Sequence, residues 1–455
     1  WACGTRRRGE GPGLEDRRRA EWIRVLLAQI QQAVPIWEVL EFARREGFAG
    51  VDGRVEVLAV DQMERVQVAC GWESSFRASD VESDDAVIAM TDGELGDLTA
   101  AGSLAHGIEK CIDRQIGACR TALESGWSLG SVHADEVALA ELLVERLASL
   151  EQLRFTNSGT EANLMALALA TQHTDRSKII VFENGYHGGV LTFGTHSNPI
   201  NVPHNWVVLP YNNVDAARSA FATHAEDIAA VLVEPMQGSG GCIPGDPAFL
   251  TALRTLCTES GALLIFDEVM TSRFARGGAQ QLLGITPDLT TLGKYLAGGL
   301  TFGAFGGRRD VMVAFDPTAG GALGHAGTFN NNVTSMAAGV AALTEVLTDE
   351  RLDATNTRGE HLRASLNERF TEHGLPMTTT GTQSLMTVHG TPGPVHSATD
   401  LVDADDRWKE LLFFHLLASG VYIARRGFIA LSIEVTDADI AHVLSAVDDF
   451  CETFA

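Results

Sequence analysis

The chain has 455 residues, with 34 Lys+Arg against 59 Asp+Glu and a formal net charge of -25. A surface this acidic repels phosphate backbones and anionic headgroups, which argues against nucleic-acid or membrane-surface binding. Hydrophobic residues at 45% and charged residues at 20% are those of a folded globular protein, and no uncharged apolar run approaches the ~18–20 residues of a membrane-spanning helix.

At roughly 150 residues per domain the length suggests about three domains. Residues 1–95 read as a divergent N-terminal segment, partly disordered or helical. Residues 96–347 read as a large α/β domain and 348–455 as a smaller C-terminal α/β domain. The first twenty residues are rich in Arg and Gly, a composition that favours disorder. Trp22–Ala33 then places Ile23, Leu26, Leu27 and Ile30 on one helical face, and Pro35 interrupts it. The basic runs Arg6-Arg7-Arg8 and Arg17-Arg18-Arg19 lack the apolar stretch of a secretory signal. Seven scattered cysteines contain no CxxC pair, so neither a metal site nor a disulfide framework is expected, and the setting reads as cytoplasmic.

From Gly107 the pattern becomes regular. A helix is expected over Ile108–Glu124, and a strand over Leu153–Thr156 entering the turn Asn157-Ser158-Gly159. The helix Thr160–Thr171 and the strand Ile179–Phe182 follow, then the glycine-rich loop Asn184–Gly189. Next come the strand Trp206–Pro210, the helix Val214–His224, the strand Ala229–Val233, the helix Pro247–Ser260 and the strand Ala262–Phe266, ending in Asp267. Strands this continuously apolar, alternating with helices, belong to a mostly parallel sheet covered on both faces. Val333–Leu347 is a long Ala-rich helix. Beyond it the order changes to the helix Arg358–His373, the strand Leu385–His389, the helix Trp408–Ser419, the strand Phe428–Ile433 and the helix Ala438–Phe450.

Two motifs are decoys. Gly126-Trp127-Ser128-Leu129-Gly130 spells the GxSxG elbow of serine hydrolases, but a helix precedes it where the elbow needs a strand. Gly293-Lys294 has Asp288 where a phosphate-binding P-loop needs glycine.

Four features remain. Lys294 precedes the glycine-rich stretch Gly298–Gly307; alone it reads as a surface lysine. Asp267 ends an apolar strand, which places its carboxylate at the C-terminal edge of a parallel sheet, where α/β folds locate ligand sites. A buried acid needs a cationic partner. Ser158, Gly159 and Thr160 occupy a strand-to-helix turn, which serves as a helix N-cap and also suits a phosphate held by backbone N–H groups. Tyr186 and His187, in a glycine-rich loop, could lay an aromatic face on a planar ring. A lysine amine, a strand-end carboxylate, a phosphate turn and an aromatic loop together suit pyridoxal 5'-phosphate.

Phe155-Thr156-Asn157-Ser158-Gly159-Thr160-Glu161-Ala162-Asn163, Phe266-Asp267-Glu268-Val269-Met270-Thr271 and Gly327-Thr328-Phe329-Asn330 resemble class III, fold-type I aminotransferases. The likeness runs from about Ala100 to the end. It points to the branch of glutamate-1-semialdehyde aminomutases and β-amino-acid aminotransferases. Val233-Glu234-Pro235-Met236-Gln237-Gly238 and Leu292-Gly293-Lys294-Tyr295 fit the β-amino-acid enzymes better.

The resemblance implies a Schiff-base role for Lys294, a pyridine-nitrogen partner in Asp267, and a phosphate site at Ser158, Gly159 and Thr160. It implies that Tyr186 stacks on the ring beside His187, that Val269 packs on the other face, and that Glu234 lines the wall. It further implies a homodimer with shared active sites, in which Thr328 reaches the phosphate of the other subunit. Arg426, within Ala424-Arg425-Arg426-Gly427-Phe428, matches the arginine that binds the substrate carboxylate.

The expected reaction is transfer of an amino group from a β-amino acid or related amine to a 2-oxo acid such as 2-oxoglutarate or pyruvate. The rivals are an aminomutase and a non-catalytic binding protein of the same fold. Two departures stand out: the family's N-terminal arginine has no match beyond Arg65 or Arg77, and Ala101–Gly107 lacks the tyrosines usual near the pocket.

Overall fold

A computed structural model of the chain describes residues 114–455, apart from 125, 195–196 and 319–320, together with three short strands nearer the N-terminus. The helix expected over Trp22–Ala33, the positions Arg65 and Arg77, and Ala101–Gly107 lie outside the described residues. Two compact units are present, Trp1–Glu82 and Ser83–Ala455. In the first, β1 (Val55–Val57) pairs antiparallel with β2 (Val68–Cys70). No helix among the described residues is long and apolar enough to cross a membrane.

The second unit holds β3 (Ala89–Met90) and is dominated by a seven-stranded sheet. Its members are β4 (Gln152–Thr156), β5 (Lys178–Phe182), β6 (Asn205–Leu209), β7 (Ile228–Val233), β10 (Leu263–Asp267), β11 (Leu289–Gly293) and β12 (Gly303–Gly307). They run in the order β4-β12-β11-β10-β7-β5-β6, with β8 (Met236–Gln237) and β9 (Ile243–Pro244) forming a separate two-stranded ribbon. β11, β10, β7, β5 and β6 are parallel to one another.

Side chains alternate faces along a strand, and both faces of this sheet are covered. Ile179, Val181, Ala230, Leu232, Leu263 and Ile265 join the cluster beneath the Gly159–Thr174 helix. Ile180, Phe182, Val231, Val233, Leu264 and Phe266 join the cluster beneath the Val214–His224 and Pro247–Ser260 helices. That double burial, worth about 1.5–3 kcal/mol for each large side chain, is why these strands read as unbroken apolar runs.

β12 is antiparallel to both β11 and β4. Its sequence, Gly-Ala-Phe-Gly-Gly, carries no strand signal, and Gly298–Gly307 reads from sequence only as glycine-rich. The structure supplies the reason. A Cβ at Gly306 would lie 2.4 Å from the backbone oxygen of Gln152, and one at Gly303 would lie 2.1 Å from that of Ser158. Only glycine lets β12 fit between its neighbours there. β11 and the Ala134–Arg146 helix were likewise not legible in the pattern.

A three-stranded antiparallel sheet, β13 (Thr378–Thr382), β14 (Leu385–His389) and β16 (Phe428–Ala430), packs with the helices Asp349–Glu372, Arg407–Ala418 and Asp437–Phe454. The last strand stops at Ala430, three residues short of the sequence expectation. β15 (Val421–Tyr422) pairs with β3.

Gly306→Ala should destabilise the protein by about 1–3 kcal/mol through overpacking against Gln152 and Leu153. A lower denaturant midpoint at unchanged slope is the expected reading; an unaltered midpoint would show that β4, the outermost strand beside β12, moves aside freely.

Candidate functional site

The residues singled out in the sequence follow the C-terminal ends of strands that run in one direction. Ser158 follows β4, Tyr186 follows β5, Glu234 follows β7, Asp267 ends β10 and Lys294 follows β11. Across the sheet Asp267 is level with Thr291, while Thr156, Gly303 and Gly293 are level two residues further along. Register therefore brings these segments, far apart in sequence, to one edge.

Asp267 is 4% exposed, yet its carboxylate is well supplied with donors. Oδ2 accepts from Asn163 Nδ2 and is 2.8 Å from His187 Nδ1, and Oδ1 accepts from the Val269 amide at 3.0 Å. The donors are themselves fixed: Asn163 Nδ2 also donates to the His187 carbonyl, and Asn163 Oδ1 accepts from Thr291 Oγ1 at 2.7 Å. Asn163 is buried on a helix otherwise rich in Ala and Leu. It lies inside the quoted Phe155–Asn163 tract, but sequence reasoning gave it no role; a polar residue on the apolar face of that helix was the available signal.

Lys294 begins a short turn of helix after β11 with φ +55°, in the left-handed region that side chains other than glycine rarely adopt. Such backbone persists only where its surroundings hold it, and it concentrates at functional sites. The preceding Gly293 lies against the phosphate-type turn. A Cβ on Gly293 would be 3.2 Å from Val269 Cγ1 and 3.3 Å from Gly159 Cα, and one on Gly159 would be 2.8 Å from Val269 Cγ2. Gly159, Val269 and Gly293 thus touch at the point where the three loops meet.

Ser158 caps the Gly159–Thr174 helix, its Oγ accepting from the Glu161 amide at 3.2 Å. The first-turn N–H groups are aimed outward with the positive end of the helix dipole. Thr160 packs on the loop that carries Tyr186, since a Cβ on Gly188 (φ +128°) would meet Thr160 Oγ1 at 2.2 Å.

Glu234 ties two loops together. Oε1 accepts from the Tyr186 amide at 3.0 Å, and Oε2 accepts from the Gly238 amide at 2.9 Å. Burial, reinforced by the nearby Asp267 charge and opposed by His187 and those two N–H groups, raises its carboxyl to about 7. Tyr186 is 39% exposed. It lines a cavity of about 450 Å³ that Arg426, stacked 4.9 Å over the Phe428 ring, also lines. Lys294 and Asp267 do not line this cavity.

Thr328 lies on an exposed loop, with its carbonyl accepting from Ser128 Oγ at 3.4 Å. A hydrogen bond of 2.9 Å from Asn157 Nδ2 to Asn330 Oδ1 joins this loop to the helix-capping turn. The GxSxG segment follows helical residues 114–124 and is loop, not elbow.

Residues 118–448 match the aminotransferase class-III family. The chain is 52% identical over 350 residues to the β-phenylalanine transaminase of Variovorax paradoxus, covering 77% of this chain and 80% of that one. The crystal structure of a β-phenylalanine aminotransferase from the same organism superposes with a TM-score of 0.73, covering 74% of this chain and 79% of that one at 53% identity. A structure described as a transaminase with PLP bound matches at TM-score 0.67 and 34% identity, over 75% and 82% of the two chains. A glutamate-1-semialdehyde 2,1-aminomutase of Limosilactobacillus reuteri is 36% identical, over 74% and 81% of the two chains.

Because the Glu234 carboxyl titrates higher in the folded chain than in the unfolded one, the folded state holds the extra proton between pH 4.5 and about 7. Its contribution to stability therefore falls as pH rises through that window. The stability difference between wild type and Glu234→Gln should shrink by roughly 1–3 kcal/mol from pH 4.5 to 7.5. A difference that stays flat with pH would show that Glu234 remains ionised throughout.

Proposed function

This chain belongs to the class-III aminotransferases, which are pyridoxal-phosphate enzymes, and on that premise we propose that it transfers the amino group of a β-amino acid to a 2-oxo acid. One observation carries the reading: the buried, three-donor carboxylate of Asp267 shares a sheet edge with the left-handed Lys294, and one cavity is lined by both Tyr186 and Arg426. Identity of 52% to a β-phenylalanine transaminase supports a β-amino-acid donor.

The residues fit the cofactor. A carboxylate has roughly four acceptor positions; three donors at Asp267 leave one for a protonated ring nitrogen. Ser158, Gly159 and Thr160 would take the phosphate at the helix terminus. Tyr186 would lie against the ring, with His187 bracing Asp267 and Val269 packing on the opposite face. Glu234 would hold the Tyr186 loop in place. Bound there, pyridoxal phosphate supplies an electron sink for the carbon that exchanges its amine.

The chain's own groups do the rest. Asp267 keeps the proton on the ring nitrogen. Lys294 Nζ takes a proton from the substrate carbon and returns it on the other side of the reaction. Arg426 binds the donor carboxylate and sets which carbon faces Lys294.

Exposed apolar side chains support a homodimer. Trp127 is 76% exposed and Phe329, beside Thr328, 61%; a second copy covering this face would let Thr328 reach its neighbour's phosphate. Among the described residues Cys119, Cys257 and Cys451 form no disulfide, which supports a reducing cytoplasmic setting. An aminomutase is the second reading, supported by the 36% identical relative. Formation of 5-aminolevulinate from glutamate-1-semialdehyde would favour it over transamination.

Two substitutions test the assignment. Lys294→Ala should lower kcat by about 10³-fold or more, and transaminase activity near the wild-type level would remove Lys294 from its role. Arg426→Ala should cut kcat/KM for β-phenylalanine at least about 10-fold more than for an arylalkylamine without a carboxylate. Equal losses on the two donors would mean that Arg426 does not read the carboxylate.

A further inference from the structure

Two adjacent threonines, Thr290 and Thr291, are fully buried in β11, between β10 and β12. Packing there would be served equally by valine, which has the same branched shape, and a buried hydroxyl costs stability unless it is hydrogen-bonded. Successive side chains face opposite sides of the sheet. Thr290 Oγ1 lies 2.8 Å from Ser149 Oγ and accepts from Gln280 Nε2 at 3.4 Å, contacts among elements remote from the candidate site. Thr291, level with Asp267, instead donates from Oγ1 to Asn163 Oδ1 at 2.7 Å.

Every hydrogen-bonding group of the Asn163 amide is used. Nδ2 donates to the His187 carbonyl at 3.0 Å and to Asp267 Oδ2 at 2.8 Å, and Oδ1 accepts from Thr291. A carbonyl and an ionised carboxylate only accept, so one orientation of the amide satisfies both. Inverted, Oδ1 would face two acceptors. Asn163 is 1% exposed, so the Thr291 hydroxyl supplies the donor that solvent would supply at a surface.

The two oxygens of Asp267 are unequally served. Oδ2 receives Asn163 and lies 2.8 Å from His187 Nδ1, whereas among the described residues Oδ1 receives the Val269 amide alone. Oδ1 is therefore the oxygen with acceptor capacity to spare. Because Asn163 binds the backbone of His187 as well as the acid, one amide holds loop and carboxylate to each other. Hydrogen bonds to charged groups are the stronger ones. A carboxylate deprived of one competes harder for any proton it shares.

We propose that Thr291 is a positioning residue acting through Asn163: it holds the amide with its N–H groups toward Asp267 and so sets how much of the shared proton the ring nitrogen of the bound cofactor keeps. This role rests on the pyridoxal-phosphate transaminase reading above.

The test follows the visible absorbance of the purified holoenzyme as pH is raised. Thr291→Val keeps the strand shape and removes the donor, whereas Thr291→Ser keeps the donor. In Thr291→Val the ring nitrogen should hold less of the shared proton, which makes the lysine-linked nitrogen of the cofactor more basic. The pH midpoint of the absorbance change should then rise by roughly half a unit or more, about 3-fold in proton affinity. Thr291→Ser should stay within about 0.2 unit of wild type. The cofactor dissociation constant should rise about 10-fold in Thr291→Val and stay within about 3-fold of wild type in Thr291→Ser.

A midpoint unmoved in Thr291→Val would overturn the proposal, since a purely structural hydroxyl changes only the denaturant midpoint of the protein stripped of cofactor. Should Thr291→Val not fold, Asn163→Ala removes the same donor to Asp267 on a helix already rich in alanine, and the same upward shift is required of it. Wild type that takes up no pyridoxal phosphate would overturn both this role and the reading beneath it. Absence of amino transfer in a wild type that binds the cofactor, with Thr291→Val and Thr291→Ser differing as stated, would refute the transaminase reading and leave the positioning role standing.

Discussion

Burying one carboxylate constrains most of this structure. An ionised acid taken out of water costs several kcal/mol unless donors surround it. Asp267 obtains them from three elements: the side chain of Asn163 on the helix after β4, the ring of His187 on the loop after β5, and the amide of Val269 on its own strand exit. Thr291 of the adjacent strand fixes Asn163 in turn. Displacing any one of these elements would leave charge uncompensated, so the network sets the relative positions of four strand ends.

Small residues complete what the hydrogen bonds begin. Contact of Gly159, Val269 and Gly293 brings the helix-capping turn against the exit of β11, and Gly303 lets β12 approach Ser158 closely. Lys294 emerges from this junction with backbone that only a tightly packed surrounding sustains. Glu234 extends the rigid region outward by joining the Tyr186 loop to the Gly238 turn. One loop thus reaches both places: His187 pairs with Asp267 while its neighbour Tyr186 lines the cavity.

Charge distribution separates outside from inside. A net charge of -25 repels polyanions, while the cavity at Arg426 has Arg426 and Lys409 and no acid among its described lining residues. The contrast gives small anions a favourable place on a protein that otherwise repels them.

The amino-acid sequence determined the sheet and the identity of the chemical groups by itself. Runs such as Ile228–Val233, too short for a helix and apolar throughout, fit strands buried on both faces, so the alternation with helices reads as a parallel-sheet fold. Lys294, Asp267, the Ser158 turn and the Tyr186 loop were legible because each stands at a strand exit next to glycine. β12 was not, since its glycines answer to the backbone of a strand 150 residues earlier, and local pattern carries no trace of that contact. Nor was Asn163. A polar residue on an Ala-rich helix acquires meaning only from what faces it across the fold. Composition and periodicity record which face of an element is buried; the partner it meets there is decided by strand order and register, which tertiary structure alone sets.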